Sequence, residues 1–223
     1  MNRSFARVVF ALTVAAAALP ARAQLLYSFE DGAQGFTNNG LATVAQDTVG
    51  ATQGTHSLAF GLGQTATFSG ALTENVNPAV LLSPDTTAVA VDVTIPQGAG
   101  EYTGTGFANM GISYFGSIPA QNVYGVPVQT NGASERNLDL APGTYTLTIP
   151  LVSTTGAPIR NAFTAGGGQF TDLGGFQFYI SKSGDDAMTV YLDNVRAVPE
   201  PAAGALACLF TGFIVTRRRQ ATR

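Results

Sequence analysis

The stretch AVAVDVTI, residues 88–95, alternates with a period of two. Val89, Val91, Val93 and Ile95 fall on one face, and Ala88, Ala90, Asp92 and Thr94 on the other. Successive side chains of a strand point to opposite sides, so this pattern predicts a β-strand with one buried face. Residues 144–149, TYTLTI, alternate in the same way. Working outward, further short runs separated by Gly, Asn, Pro and Asp predict strands near 25–30, 41–47, 57–62 and 65–69. Others fall near 111–115, 123–129, 145–151, 175–181 and 189–198. No amphipathic helical period of useful length appears. Many short strands without helices predict an all-β fold, two antiparallel sheets packed as a β-sandwich. The glycine-rich segments 98–106 and 166–168 read as loops, and there is no clean internal repeat.

Both ends differ from this body. Arg3 and Arg7 precede an apolar run from Val8 to Leu19, followed by Pro20 and the small-residue box Ala21-Arg22-Ala23. That order predicts a secretory signal helix over 1–23, removed by signal peptidase. At the other end, residues 202–216 carry no charge and precede Arg217, Arg218 and Arg219. A 15-residue helix is short for a membrane span, at about 1.5 Å per residue against about 30 Å of hydrocarbon. The arginines would hold its end in the cytoplasm. Val198-Pro199-Glu200-Pro201 stands immediately before it, and its prolines keep that segment extended.

The order Pro-Glu-Pro, apolar helix, arginine cluster over 198–223 resembles the PEP-CTERM sorting tail of Gram-negative bacteria. The resemblance implies an inner-membrane-anchored precursor whose tail an exosortase removes. It further implies a mature protein at the cell surface, at the outer membrane or in the exopolysaccharide matrix. An ordinary single-pass anchor is the alternative reading.

Between the ends, residues 24–197 make one domain's worth of chain. All 14 acidic residues lie between Glu30 and Glu200, joined there by only four bases, Arg136, Arg160, Lys182 and Arg196. A surplus of ten negative charges excludes nucleic acid as a partner, since phosphate binding requires a basic footprint. The single cysteine, Cys208, lies in the tail, so the domain has no disulfide.

The strand Tyr27-Ser28-Phe29-Glu30-Asp31-Gly32, the stretch Gly54-Thr55-His56-Ser57-Leu58 and the closing strand Tyr191-Leu192-Asp193-Asn194-Val195 resemble the jelly-roll carbohydrate-binding modules. That resemblance implies a jelly roll whose first and last strands lie side by side with a structural calcium at their edge. Glu30 and Asp193 match its carboxylates, and the carbonyls around Gly32, Gly54 and His56 match the rest of an oxygen shell. The other reading makes Glu30 and Asp193 edge acids, paired with Arg196. Asp185-Asp186 reads as a solvated hairpin tip.

Sugar recognition needs flat aromatic surface, because sugar C–H faces stack on rings. There is no Trp. Tyr102, Tyr114 and Tyr124, in the middle of the chain, are the glycan-binding candidates, against the reading that they are core residues. Catalysis finds no support. His56 is the only histidine, no Gly-x-Ser-x-Gly elbow occurs, and Gly166–Gly168 lacks the Lys-Ser/Thr of a phosphate loop. The sequence therefore predicts a non-catalytic exported surface or matrix protein that binds or organises exopolysaccharide. A purely structural biofilm protein is the alternative, and a glycan-active enzyme the third.

Overall fold

The computed structural model describes residues 23–97, 108–116, 122–125, 142–163, 170, 172–182 and 187–200. Among the described residues, eleven strands form two antiparallel sheets. They are β1 (Gln24–Tyr27), β2 (Thr37–Asn39), β3 (Ala42–Asp47), β4 (Ser57–Leu62), β5 (Phe68–Thr73), β6 (Thr86–Ile95), β7 (Ala108–Phe115), β8 (Asn122–Tyr124), β9 (Gly143–Pro150), β10 (Gly175–Lys182) and β11 (Met188–Pro199). Six make a sheet ordered β3-β4-β11-β6-β9, with β1 also paired to β11; the other five are ordered β2-β5-β10-β7-β8. A four-residue helix, α1 (Pro78–Leu81), and a 3-10 turn (Ile159–Ala162) are the helical elements among the described residues.

The expected strands appear, with instructive shifts, except that residues 126–129 of the strand expected at 123–129 lie outside the described residues. Residues 88–95 lie within β6, and Val89, Val91, Val93 and Ile95 all enter the core. The strand expected at 65–69 begins later, at Phe68, because residues 63–66 close a turn in which the Ala66 amide donates to the Gly63 carbonyl at 3.2 Å. β2 was not expected. Its sequence is Thr-Asn-Asn, exposed throughout, with no hydrophobic alternation to mark it. Residues 1–22 of the expected signal helix (1–23), the apolar segment 202–216 and the arginines 217–219 lie outside the described residues. No helix among the described residues is long and apolar enough to cross a membrane.

The core lies between the sheets and is rich in aromatic rings. Tyr27, Phe29 and Phe36 approach from the first turn, and Phe176 and Phe178 from β10. Phe176 and Phe178 meet edge to face at 4.9 Å between centroids, as do Tyr27 and Phe36. Such pairs contribute about 0.5–1.5 kcal/mol beyond their area burial. Phe29 sits at φ +59° and Gln34 at φ +49°. Their turn is held by the Gln34 side-chain oxygen, which accepts the Ser28 and Phe29 amides at 3.0 Å each. That turn brings Phe36 over β10, where it stacks on Phe178 at 6.1 Å.

With no cysteine in this domain, stability rests on that inter-sheet cluster. Phe178→Ala is expected to destabilise the fold by about 3–5 kcal/mol, read from the urea midpoint. A loss below about 1 kcal/mol would show that the cluster is not where stability resides.

Candidate functional site

The outer face of the five-stranded sheet is set by alternation. Along β10, Phe176, Phe178 and Ile180 enter the core, so Gln177, Tyr179 and Ser181 point the other way. Pairing with β7 places Gly111 beside Tyr179 and Ser113 beside Gln177. Pairing with β5 places Gly70 on the other side of Tyr179, and β8 brings Tyr124 beside Ser113. The two glycines form a floor. A Cβ on Gly111 would run into the Tyr179 phenol ring, and one on Gly70 into the Gln177 amide.

Tyr179 therefore lies across Gly111, where its hydroxyl donates to the Gly125 carbonyl at 2.9 Å. Burial pushes the Tyr179 phenol up to about 12. Phe68 and Tyr124 close over it, their ring centroids 5.3 and 5.6 Å from that of Tyr179 and 5.9 Å from each other. β5 and β8 are three strand spacings apart, about 14 Å, so these two rings lean in from opposite sides. Phe68 is 44% exposed and Tyr124 37%, whereas Tyr179 is 5% exposed.

Polar groups surround the rings. The Asn39 side-chain amide donates to Gln177 Oε1 at 2.6 Å. On β7, Ser113 Oγ and Asn109 Oδ1 are buried without a hydrogen-bond partner. Buried polar atoms are normally satisfied by protein or water. An aromatic platform flanked by the exposed Asn39 amide can stack a sugar ring and bond its hydroxyls.

Tyr124 is the expected glycan candidate that lies on this face. Tyr114 does not, and this corrects the expectation that it stacks on sugar. It alternates with Met110 and Ile112 into the core, is 0% exposed, and donates its hydroxyl to the Leu81 carbonyl at 3.2 Å. Tyr102 lies outside the described residues. Phe68, Gln177 and Tyr179 were not anticipated. The pattern of β10, Phe-x-Phe-x-Ile on one face and Gln-x-Tyr-x-Ser on the other, was a signal for them.

At the edge of the six-stranded sheet, β1 and β11 pair as expected, and the loop before β4 lies against both acids. Asp193 Oδ2 accepts the Thr52 and Gln53 amides at 2.6 and 2.7 Å and the Thr52 hydroxyl at 3.0 Å. Its Oδ1 accepts the Asn194 amide at 2.6 Å. Glu30 Oε1 accepts the Thr55 and His56 amides at 2.9 and 2.8 Å, and its Oε2 the Thr55 hydroxyl at 3.0 Å. His56 Nδ1 lies 3.6 Å from Glu30 Oε2. The amides of His56 and Thr55 hold the Glu30 carboxyl below its ordinary value. Gly54 turns between them at φ +79°, and Gly32 turns after Glu30 at φ +83°.

Arg196 pairs with Asp92 at 3.3 Å, not with Glu30 or Asp193. Burial raises the Asp92 pKa, but hydrogen bonds from Thr146, Asn194 and Thr52, with the Arg196 charge, outweigh it and hold the carboxyl low. A calcium shell takes six to eight oxygens. The partners of Glu30 and Asp193 are N–H and O–H donors, and that arrangement does not fit such a shell. Of the expected sorting residues, Val198 and Pro199 end β11 and Glu200 follows it; Pro201 lies outside the described residues.

No protein-family model matches the chain, and no curated protein matches it. Solved structures do. A carbohydrate-binding module of the β-sandwich superfamily, studied for promiscuous specificity, superposes with a TM-score of 0.50 at 14% identity, covering 78% of this chain. The chain spans 61% of that protein's length. The family 11 module from Clostridium thermocellum, in complex with a β-1,3-1,4-mixed-linked tetrasaccharide, gives 0.49 at 11% identity over 81% of this chain and 98% of its own. A family 28 module specific for non-crystalline cellulose gives 0.48 at 16% identity over 81% and 100%. The first likeness establishes the jelly-roll sandwich fold.

The depressed Glu30 pKa has a definite sign. Its contribution to stability is complete above the ordinary carboxylate value of 4.5 and is lost as pH falls through the lower folded value. Glu30→Gln is expected to lower the urea midpoint at pH 7 and to flatten its decline below pH about 4.5. An unchanged decline in the variant would assign the acid sensitivity to other carboxylates, Asp92 first.

Proposed function

We propose that this chain is an exported, non-catalytic glycan-binding protein. Its ligand face is the outer side of the five-stranded sheet. The observation that carries the reading is the cluster of Phe68, Tyr124 and Tyr179 over the glycine floor. Large exposed aromatic residues mark recognition surfaces, and the exposed Asn39 amide supports a polar ligand. The fold shared with a carbohydrate-binding module of the β-sandwich superfamily supports the same class of ligand.

The ends of the sequence supply the address. The signal-like segment 1–23 directs the domain outward, and the Pro-Glu-Pro, apolar and arginine segments of 198–223 make the tail an exosortase substrate. The mature protein then works in or near the exopolysaccharide layer. Its acidic charge suits a hydrated matrix and opposes self-association.

Two measurements test this. Affinity electrophoresis of the protein through the host's own exopolysaccharide is expected to show retardation that Phe68→Ala and Tyr124→Ala each weaken by about tenfold, as loss of a stacking ring of about 1.4 kcal/mol implies. Free migration of the wild type would favour a purely structural matrix protein. In a strain lacking exosortase, mass spectrometry is expected to find a heavier form in the inner membrane. Unchanged mass and location would remove the sorting reading.

A further inference from the structure

We propose that the loop before β4, not a divalent cation, neutralises Glu30 and Asp193, so that the fold is independent of calcium. The argument rests on peptide geometry. In a trans peptide unit the N–H and the preceding C=O point in opposite directions. The amides of Thr52, Gln53, Thr55 and His56 all point at the two carboxylates. The carbonyls of the same four units, those of Ala51, Thr52, Gly54 and Thr55, therefore point away. The Gly54 carbonyl is among them, although its position in the chain suits a metal ligand.

Calcium at this edge would meet the positive ends of four N–H dipoles where it needs oxygen lone pairs. Admitting it would require the loop to turn these units over. Two features oppose a cation here. The Glu30 carbonyl is already engaged, accepting from Gln46 Nε2 at 3.2 Å. Asp193 is wholly buried, and its four hydrogen bonds come from the loop and from Asn194. Among the described residues, no three of His, Cys, Asp and Glu gather as a metal-holding group.

The loop thus does by hydrogen bonding what a cation does by coordination. It compensates two acids at the edge where the first and last strands meet, and it fastens residues 52–56 to both.

Thermal unfolding of the purified full-length protein decides this. The melting temperature is expected to be the same in chelator and in millimolar calcium. A bound cation at a hundredfold excess over its Kd would raise it by about 5–10 °C. Terbium, a calcium probe sensitised by nearby tyrosine, is expected to give no stoichiometric luminescence. Asp193→Asn is expected to lower the melting temperature equally in both buffers. A saturable rise with calcium, or terbium luminescence that Asp193→Asn abolishes, would overturn the proposal. Should that variant fail to fold, the wild-type titrations with calcium and terbium decide the matter alone. None of these readouts depends on whether the aromatic face binds sugar.

Discussion

The left-handed residue Asn194, at φ +50°, is the point on which the six-stranded sheet turns. Before it, residues 188–192 of β11 pair with β4; after it, residues 195–197 pair with β1. Leu192 and Val195 both face the core although they are three residues apart, an odd spacing that a regular strand forbids. The left-handed backbone at Asn194 makes this possible, a conformation that asparagine tolerates better than most side chains. The turn at Asn194 also puts polar groups to good use. Asn194 Nδ2 donates to Asp92 Oδ2 on β6 at 2.9 Å, while Asp193 takes the loop before β4. One irregularity thus ties β1, β4, β6 and the loop into a single edge.

The two outer faces of the sandwich differ, and the difference follows from their side chains. On the six-stranded sheet, β6 and β9 present Ala90, Asp92 and Thr94 beside Thr148, Thr146 and Thr144, groups without rings that offer a ligand little to stack on. Thr94 and Thr144 bond to each other at 2.8 Å, and Gly50 packs against Tyr191, so the loop covers part of that face. The five-stranded sheet instead combines two glycines with three rings. Removing Cβ atoms from Gly70 and Gly111 gives long side chains of β10 room to lie flat, and that is what lets rings from β5, β8 and β10 meet.

Much of the fold was legible in the sequence because one-sided burial leaves a period of two. Residues 88–95 and 144–149 were read correctly as neighbours of a core for that reason. β2 left no such trace, being short, polar and held at an edge. The site was less legible. Tyr114 and Tyr124 look alike in the sequence, and only register decides that one faces Leu81 and the other Phe68. Gly111 matters only because pairing sets it beside Tyr179, a relation between residues 68 positions apart that no local pattern encodes. At the sheet edge the sequence brought Glu30, Gly54, His56 and Asp193 into view together. It is silent on which end of each peptide unit faces the acids, and that orientation separates an amide clamp from a metal shell.

β11 is the last strand, yet it lies in the middle of its sheet, between β4 and β6. A chain synthesised from its N-terminus holds β4 and β6 long before residues 188–199 exist, and the two have no direct partner in each other. The six-stranded layer, and with it one wall of the aromatic core, can close only when the final strand arrives. Such late, non-local closure is slow, and until then the nascent chain stays extended and open to whatever machinery handles unfolded polypeptide. Deleting residues 188–199 would remove the keystone of the layer and leave β3-β4 and β6-β9 as separate pairs.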